Sequence, residues 1–554
     1  MPTIADLADR YWKIYLEAKP TYASLIGEHQ YDSQIEDLSD EGRGHHRSRL
    51  LQLLAEVEAC DPGGDPTTRD LLAYTISADL VEEETEVLVA PVDPNIGIHS
   101  ENLRVTGQTR ALEPWHAEAL AERFAQVPRL LEQAMVRHRR QAADGLTPAA
   151  ASVRRVVHQL DKYLASELST DPYAGLALPE GWDGAERWRS AMEELVVDRL
   201  RPAFAAYRNG LETDILPRAR DDAHPGICHL PDGEAIYQRL VERFVTLPSD
   251  PADIHRIGDQ HASQTLVAEY AEVGEEALGE SDLGGLFDRL RTDPSLRYES
   301  AEEMLDLARE AVERGWAAID GWLGARPDRP CDVQPVPEAL AKDMPPAFYM
   351  QPSPDGTRPG IYFLNTHQAE TRDRFSGEAT AFHEAIPGHH FDRALATALT
   401  DLPAFRRHRS VNVHAEGWGL YSERLADEMG LYSSPLDRIG MLAADSWRAA
   451  RLVVDTGMHF HGWSRDRAMQ YMVDWTPISR GTIEQEIDRY IGWPGQALSY
   501  KMGQIEIDRL RREAEQALGD RFDIVGFHDT VLTSGSVTLP VLRRLVSDWV
   551  DRRG

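Results

Sequence analysis

Apolar residues recur at three- and four-residue steps along most of this chain, which is the spacing of one face of an α-helix. Residues 117–145 show the pattern and stop at Gly145, and residues 300–324 show it again between Ser300 and Gly324. Ser300 and Glu303 also form a capping-box sequence, which predicts a helix that begins after Ser300. The spacing therefore predicts a mostly α-helical protein over its 554 residues.

One segment breaks the helical pattern. Residues 333–366 contain prolines that forbid a continuous helix, and Pro-Asp-Gly at 354–356 predicts a turn. Residues 360–365, with the sequence GIYFLN, are apolar and aromatic, as is typical of a strand. We therefore interpret residues 1–332 as a mostly helical N-terminal part and residues 333–554 as a catalytic part, and we expect the two to form one cooperative body.

The composition narrows the classes of function. The net charge of −33 repels phosphate backbones, so we expect no nucleic-acid partner. No apolar run is long enough to span a membrane, and the N-terminal segment lacks the apolar core of a signal peptide. These features predict a cytoplasmic protein with no membrane partner. Three widely separated cysteines predict neither a disulfide framework nor a cysteine-based zinc site.

His383 and Glu384 begin like the His-Glu-x-x-His helix of zinc peptidases, but the next histidines are His389 and His390. In that helix the two histidines lie about one turn apart, so both rings reach one metal, and the glutamate acts as general base. On a regular helix, position +6 lies roughly 240° around the axis, and position +7 lies about 10.5 Å along it. A regular helix therefore suits neither histidine.

Pro387 and Gly388, which spoil the usual motif, offer a way to restore it. Proline removes a helical hydrogen bond and glycine tolerates unusual dihedral angles. A bulge at these residues would absorb the two extra positions and bring His389 to the place of the usual second histidine. We expect His383 and His389 to bind a metal, with His390 as the alternative to His389.

A third ligand is expected downstream. A catalytic zinc ion takes about three protein ligands and keeps one position for water. Glu416 lies in a predicted helix 33 residues after His383, and a helical glutamate that completes a two-histidine site is the gluzincin arrangement. Glu423, seven residues later on the same face, is a candidate to orient a histidine. The sequence therefore predicts one Zn²⁺ ion with Glu384 as the general base.

The chain also resembles a bacterial family catalogued as a domain of unknown function (number 885), which is related to the gluzincin zinc metallopeptidases. The resemblance runs nearly end to end. It includes YLEAKPTYASLIGEHQYDSQIEDLS, VQPVPEALAKDMPPAFYMQPSPDGTRPGIYFLNT, HEAIPGHH, EGWGLYSERLADEMGLY, RAARLVVDTGMHFHGWS, EIDRYIGWPGQALSYKMGQ and FHDTVLTSGSVTLPVL. It implies a mostly α, large helical metallopeptidase-like fold with a deep cleft and a small β-sheet beside the active-site helix.

Further site residues follow from this resemblance and from the chemistry. Related peptidases use a tyrosine near the place of Tyr500, which makes Tyr500 a candidate to stabilise an oxyanion, and His528 is the other candidate. The strand at 360–365 resembles an edge strand that could pair with a peptide backbone. Candidate substrate contacts in and after this strand are Tyr362 and Asn365.

Arg451 is a further candidate contact, because a guanidinium can bind a substrate carboxylate through two hydrogen bonds. Asp455 lies one helical turn further on and is the residue that we expect to support it. The alternative is that Arg451 and Asp455 only form an internal ion pair.

Three functions are compatible with these residues. The first is a zinc metallopeptidase that hydrolyses short peptides. The second is a zinc-dependent amidohydrolase that acts on a non-peptide metabolite, since the sequence does not distinguish the two kinds of amide bond. The third is a non-catalytic helical binding protein in which the histidines only shape a turn. The intact His-Glu pair and the downstream glutamate favour the first.

Overall fold

The computed structural model describes residues 2–341, 344–353 and 358–554. Helices hold 69% of the chain and strands 4%, so the prediction of a mostly α-helical fold with a small β-sheet is confirmed. The predicted turn at 354–356 lies outside the described residues. Among those that are described, no helix is both long and apolar enough to cross a membrane.

The elements follow one another along the chain as helices, one small group of strands, and helices again. The helices before the strands are α1 (Ile4–Ala18), α2 (Pro20–Leu25), α3 (Asp40–Ala59), α4 (Pro66–Thr85), α5 (Ile98–Gln108), α6 (Pro114–Phe124), α7 (Val127–Ala143), α8 (Ala150–Ala165), α9 (Ala185–Leu195), α10 (Arg201–Gly210), α11 (Gly233–Val245), α12 (Pro251–Gln260), α13 (Leu266–Leu278), α14 (Leu283–Thr292) and α15 (Ala301–Ala318).

The remaining elements contain every predicted site residue except Asn365, which directly follows β3. The strands are β1 (Cys331–Pro335), β2 (Ala347–Met350) and β3 (Gly360–Leu364), with α16 (Glu338–Ala341) between the first two. The helices after them are α17 (Gly377–Glu384), α18 (His389–Ala398), α19 (Ala404–His408), α20 (Asn412–Glu428), α21 (Pro435–His459), α22 (Arg465–Trp475), α23 (Arg480–Gly492), α24 (Ser499–Leu518), α25 (Ile524–Leu532) and α26 (Leu539–Arg553).

Local signals in the sequence set several helix ends. The Ser300 side chain accepts a hydrogen bond from the Glu303 amide at 3.1 Å, so α15 begins where the capping sequence predicts. It ends at Ala318, six residues before the predicted Gly324, and Gly321 follows in the left-handed region at φ +84°. The helical pattern at 117–145 is divided between α6 and α7.

The three strands form one sheet in the order β1-β3-β2. Strand β1 runs parallel to β3, with Cys331 opposite Gly360, and β2 runs antiparallel to β3, with Met350 opposite Ile361. The strand at 360–364 is confirmed, but the prediction that it forms an edge is wrong. Its backbone is paired on both sides, so β3 has no free edge for a peptide.

The chain divides into two compact units, each with its own buried apolar core. The N-terminal unit comprises the chain up to Ile236 with Gly462–Arg465 and Asp488–Trp493. The second unit comprises Tyr237–His461, Asp466–Ile487 and Pro494–Gly554 and contains the sheet and helices α17 to α21. In one core of the second unit, Phe375 and Ala379 pack with Tyr270, Phe287 and Leu442, which anchors the start of α17.

Candidate metal centre

The expected zinc-peptidase helix is divided into two helices. Helix α17 ends at Glu384, residues 385–388 form a turn, and α18 begins at His389. A Cβ on Gly388 would lie 2.0 Å from the His383 carbonyl oxygen and 2.4 Å from that of Phe382. Glycine is therefore the residue that fits this turn. The sequence predicted a bulge within one helix, and this prediction is wrong, because a turn separates two helices.

The turn returns the chain toward α17 and brings two histidines together. The imidazole rings of His383 and His389 lie 4.7 Å apart between centroids, with an angle of 81° between their planes. The Trp418 indole on α20 donates a hydrogen bond to the Pro387 carbonyl at 2.9 Å, which holds the turn against that helix. The first two predicted ligands are therefore adjacent.

Helix α20 brings the third predicted ligand to the same place. The Glu416 Oε2 atom lies 3.7 Å from His383 Nε2 and 3.5 Å from His389 Nε2. These three side chains each offer one ligand atom, and the atoms all lie within 4.8 Å of one another. Two imidazole nitrogens and a carboxylate oxygen form a donor set that suits zinc. We refer to His383, His389 and Glu416 as the candidate metal centre.

A second carboxylate from α20 fixes the orientation of His383. The His383 Nδ1 atom donates to Glu423 Oε1 at 2.8 Å, and Glu423 is 1% exposed. An imidazole that carries its proton on Nδ1 has its lone pair on Nε2, which is the atom that faces Glu416. This partner is typical of a histidine that ligates a metal, and it is the role that the sequence suggested for Glu423.

His383 and Glu416 change each other's pKa values. Burial alone would lower the pKa of His383, but hydrogen bonds to Glu416 and Glu423 outweigh it and raise this pKa to about 9. Burial would raise the pKa of Glu416, yet the hydrogen bonds and charges of His383 and His389 lower it well below its usual value.

His390 lies in a different environment. Its Nδ1 is hydrogen-bonded to the Tyr349 hydroxyl at 2.9 Å and its Nε2 to the Arg329 carbonyl at 3.0 Å. Burial lowers its pKa to about 4, so the ring is neutral at physiological pH. Of the two histidines left open by the sequence, the structure places His389 beside His383 and Glu416.

Glu384 is the last residue of α17 and is partly exposed. Its charge contributes to the raised pKa of His383, which places it within electrostatic range of the centre. Tyr362 on β3 is fully buried, and its hydroxyl has no hydrogen-bond partner among the described residues. Burial, followed by the charges of Tyr298 and Glu384, raises the pKa of Tyr362 well above its usual value.

His528, a predicted oxyanion donor, and Asn365, a predicted substrate contact, both have hydrogen bonds within the protein. The Tyr421 hydroxyl is 2.8 Å from His528 Nε2, and His528 Nδ1 is 2.7 Å from the Trp322 carbonyl. Because a carbonyl only accepts, His528 donates from Nδ1 and accepts at Nε2. The Asn365 amide donates to the carbonyl of Ala341 at 2.6 Å, so it holds the chain that leads into β2.

Tyr500 and Arg451 lie against each other. The Arg451 guanidinium lies 4.4 Å from the centroid of the Tyr500 ring and donates to Glu486 at 3.0 Å. Asp455 accepts hydrogen bonds from the Tyr237 hydroxyl at 2.6 Å and from the Gly495 amide at 3.1 Å. These contacts give Asp455 a role in fixing the segment that leads into α24.

Sequence reasoning missed Arg448, which lies near both Tyr500 and Glu423. The Arg448 Nη2 atom lies 4.0 Å from Glu423 Oε1, and its guanidinium lies 5.9 Å from the centroid of the Tyr500 ring. The available signal was helical spacing, because Arg448 precedes Arg451 by three residues and therefore shares its side of α21.

A second cluster, in the N-terminal unit, contains His29, Asp32 and His116. The two imidazole rings are stacked, with centroids 3.7 Å apart and planes at 16°. The Leu112 amide donates to His116 Nδ1 at 3.2 Å, so a neutral His116 carries its proton on Nε2 and has no free lone pair for a metal. This cluster fits a metal ion poorly.

The family model of a bacterial protein of unknown function (DUF885) matches residues 20–546. This chain belongs to that family. Solved structures are also similar to it, among them the two that follow, and no curated protein matches it.

The structure of the "putative lipoprotein" from Colwellia psychrerythraea shares 26% sequence identity with this chain. It has a TM-score of 0.91 and covers 99% of each chain. That of a "putative lipoprotein of unknown function" from Shewanella oneidensis shares 16% identity. Its TM-score is 0.76, and the match covers 99% of this DUF885 chain and 100% of the Shewanella chain. At that identity the Shewanella structure supports the fold alone.

Proposed function

We propose that this DUF885 protein is a zinc-dependent metallohydrolase that cleaves short peptides. The observation that carries this proposal is the convergence of His383 Nε2, His389 Nε2 and Glu416 Oε2. Ligand atoms bound to one tetrahedral zinc ion at 2.0–2.1 Å lie about 3.3 Å apart. The separations of 3.5 Å and 3.7 Å to Glu416 exceed this by a few tenths of an ångström, and all three ligand atoms lie within 4.8 Å of one another.

When bound, zinc would supply a Lewis acid that polarises a carbonyl group and makes water more acidic. Three protein ligands leave a fourth position open, as in catalytic zinc sites. Glu384 directly follows the ligand His383, and its partly exposed carboxylate would take a proton from the attacking water. The same group would then donate that proton to the leaving nitrogen. Tyr500 would donate a hydrogen bond to the developing oxyanion.

A proton-transfer variant tests this function. Glu384→Gln preserves the size of the side chain and removes its basic oxygen, so it should bind zinc normally and lose about 10²- to 10⁴-fold in kcat. Peptide hydrolysis and zinc content are measured on the same sample. Glu484→Gln, which changes an exposed glutamate on α23, is the matched control and should retain full activity. Unchanged hydrolysis by Glu384→Gln would refute this mechanism.

A further inference from the structure

We propose that Arg448 and Arg451 form a carboxylate-binding subsite beside the candidate metal centre, so that the enzyme prefers short peptides with a free terminal carboxylate. This inference rests on the proposed hydrolytic function and assigns it a substrate class. It makes the protein a carboxyl-terminal exopeptidase, which releases residues from the end of a chain.

Two aromatic rings hold both guanidinium groups in place. Arg448 lies 4.9 Å from the centroid of the Trp447 ring and 5.9 Å from that of Tyr500. Arg451 lies 4.6 Å from Trp447 and 4.4 Å from Tyr500. Stacking of this kind restricts a flexible side chain before a ligand arrives, which lowers the entropic cost of binding.

The two arginines differ in how far the protein neutralises them. Arg451 donates to the Glu486 carboxylate at 3.0 Å. Arg448 has Glu423 Oε1 at 4.0 Å, beyond hydrogen-bonding distance, and that oxygen already accepts a hydrogen bond from His383.

The hydrogen-bonding capacity of Arg448 is also incompletely used. Its Nη1 makes a long contact of 3.4 Å to the Ala444 carbonyl. Its Nε is buried and lacks an acceptor in the part of the chain that the structure describes. A buried cation with an unused donor is costly, and a carboxylate is the acceptor whose two oxygens match a guanidinium edge.

The position of Arg448 determines the kind of substrate. The Arg448 Nη2 atom lies 4.0 Å from Glu423 Oε1, and that oxygen accepts a hydrogen bond from His383 Nδ1, on the side of the ring opposite the nitrogen that faces the metal position. A carboxylate held by Arg448 would therefore lie one carboxylate and one imidazole away from the metal position, a span that a short peptide bridges. The substrate class is a short peptide or an N-acyl amino acid in which the scissile amide lies near a terminal carboxylate.

The test compares matched substrates on the full-length, zinc-loaded protein. A chromogenic N-acyl tripeptide is supplied as the free acid and as its C-terminal amide. Because a hydrogen-bonded charge pair is lost in the amide, kcat/KM should be about 10- to 100-fold lower for the amide than for the acid. This comparison requires no variant, so it remains informative even if a substitution impairs folding.

Variants then assign the preference to the arginines. Arg448→Ala should lower kcat/KM for the acid by a similar factor and leave the amide nearly unchanged, and Arg448→Lys should restore part of the difference. Arg438→Ala, which changes an arginine on α21 that pairs with Asp427, is the control and should preserve the full preference.

The outcomes separate the subsite from the proposed function. If the wild-type protein hydrolyses acid and amide equally, the subsite is refuted and the hydrolytic function stands. If Arg448→Ala slows both substrates equally, Arg448 acts through Glu423 and His383, which also refutes the subsite. If neither these substrates nor a wider peptide panel is hydrolysed, the proposed function itself fails.

Discussion

Replacing Gly419 with alanine should weaken zinc binding without unfolding the protein. Gly419 lies on α20 between Glu416 and Glu423, and the His383 ring packs directly on its Cα. A Cβ at this position would lie 2.7 Å from His383 Cε1 and 2.9 Å from Nε2. The added methyl group therefore contacts the ring around Cε1, between the nitrogen that faces the metal position and the nitrogen that faces Glu423.

The size of the effect follows from these distances. To reach an ordinary carbon–carbon contact of about 3.5 Å, the ring must move by roughly 0.8 Å. The hydrogen bond from His383 Nδ1 to Glu423 at 2.8 Å opposes that movement, and metal–ligand distances tolerate only about 0.2 Å. We expect zinc affinity to fall by about 10- to 100-fold, equivalent to about 1.4–2.7 kcal/mol.

Competition with a zinc-binding dye measures this change. Gly481→Ala is the matched control, because a Cβ on that glycine of α23 meets nothing within 4 Å. Circular dichroism should show the same helical content for both variants, since alanine is the better helix former. Wild-type zinc affinity in a folded Gly419→Ala protein would contradict the arrangement of His383, Glu416 and Glu423 described above.

Three further predictions concern the surroundings of the centre. Glu423→Gln removes the charge that supports His383 and should lower zinc affinity about 10-fold or more in the same titration; unchanged affinity would count against that role. His390→Ala deletes two buried hydrogen bonds and should lower the free energy of unfolding by about 2–4 kcal/mol in a denaturant titration, whereas an unchanged midpoint would contradict its buried position. Acid should destabilise the fold, because burial lowers the pKa of both His390 and His528 from 6.5 to about 4. Between pH 6.5 and pH 4 the unfolded chain binds more protons than the folded chain, so the free energy of unfolding falls as the pH falls. Each histidine lowers it by about 2 kcal/mol between neutral pH and pH 5. In a denaturant titration repeated at several pH values, the double variant His390→Gln/His528→Gln should lose less stability in acid than the wild type.

Much of the fold could be predicted because its signals are local. The three- and four-residue spacing identifies helices, and Ser300 marks the start of α15. The strand at 360–364 was also visible in its composition. The central position of this strand could not be predicted, because strand order depends on which strands pair. The sequences of β1 and β2 do not indicate how they pair with β3.

The grouping of His383, His389 and Glu416 was predictable for a related reason. Spacing gave the pair Glu416 and Glu423 on one face of α20, and the residues Pro387 and Gly388 indicated that the chain must turn between the histidines. The conformation of the turn could not be predicted from the sequence, because it depends on the close approach of Gly388 to the backbone of α17. Arg448 and the partners of His528 were missed since they arise from packing between separate helices.

Metal analysis shows whether His383, His389 and Glu416 hold one zinc ion. Wild-type protein and the variants His389→Ala and His390→Ala are loaded with zinc, desalted and analysed for metal per chain. We expect about one zinc ion in the wild type and in His390→Ala, and almost none in His389→Ala. A wild-type protein that takes up no zinc, or a His389→Ala variant that retains it, would contradict this assignment of ligands.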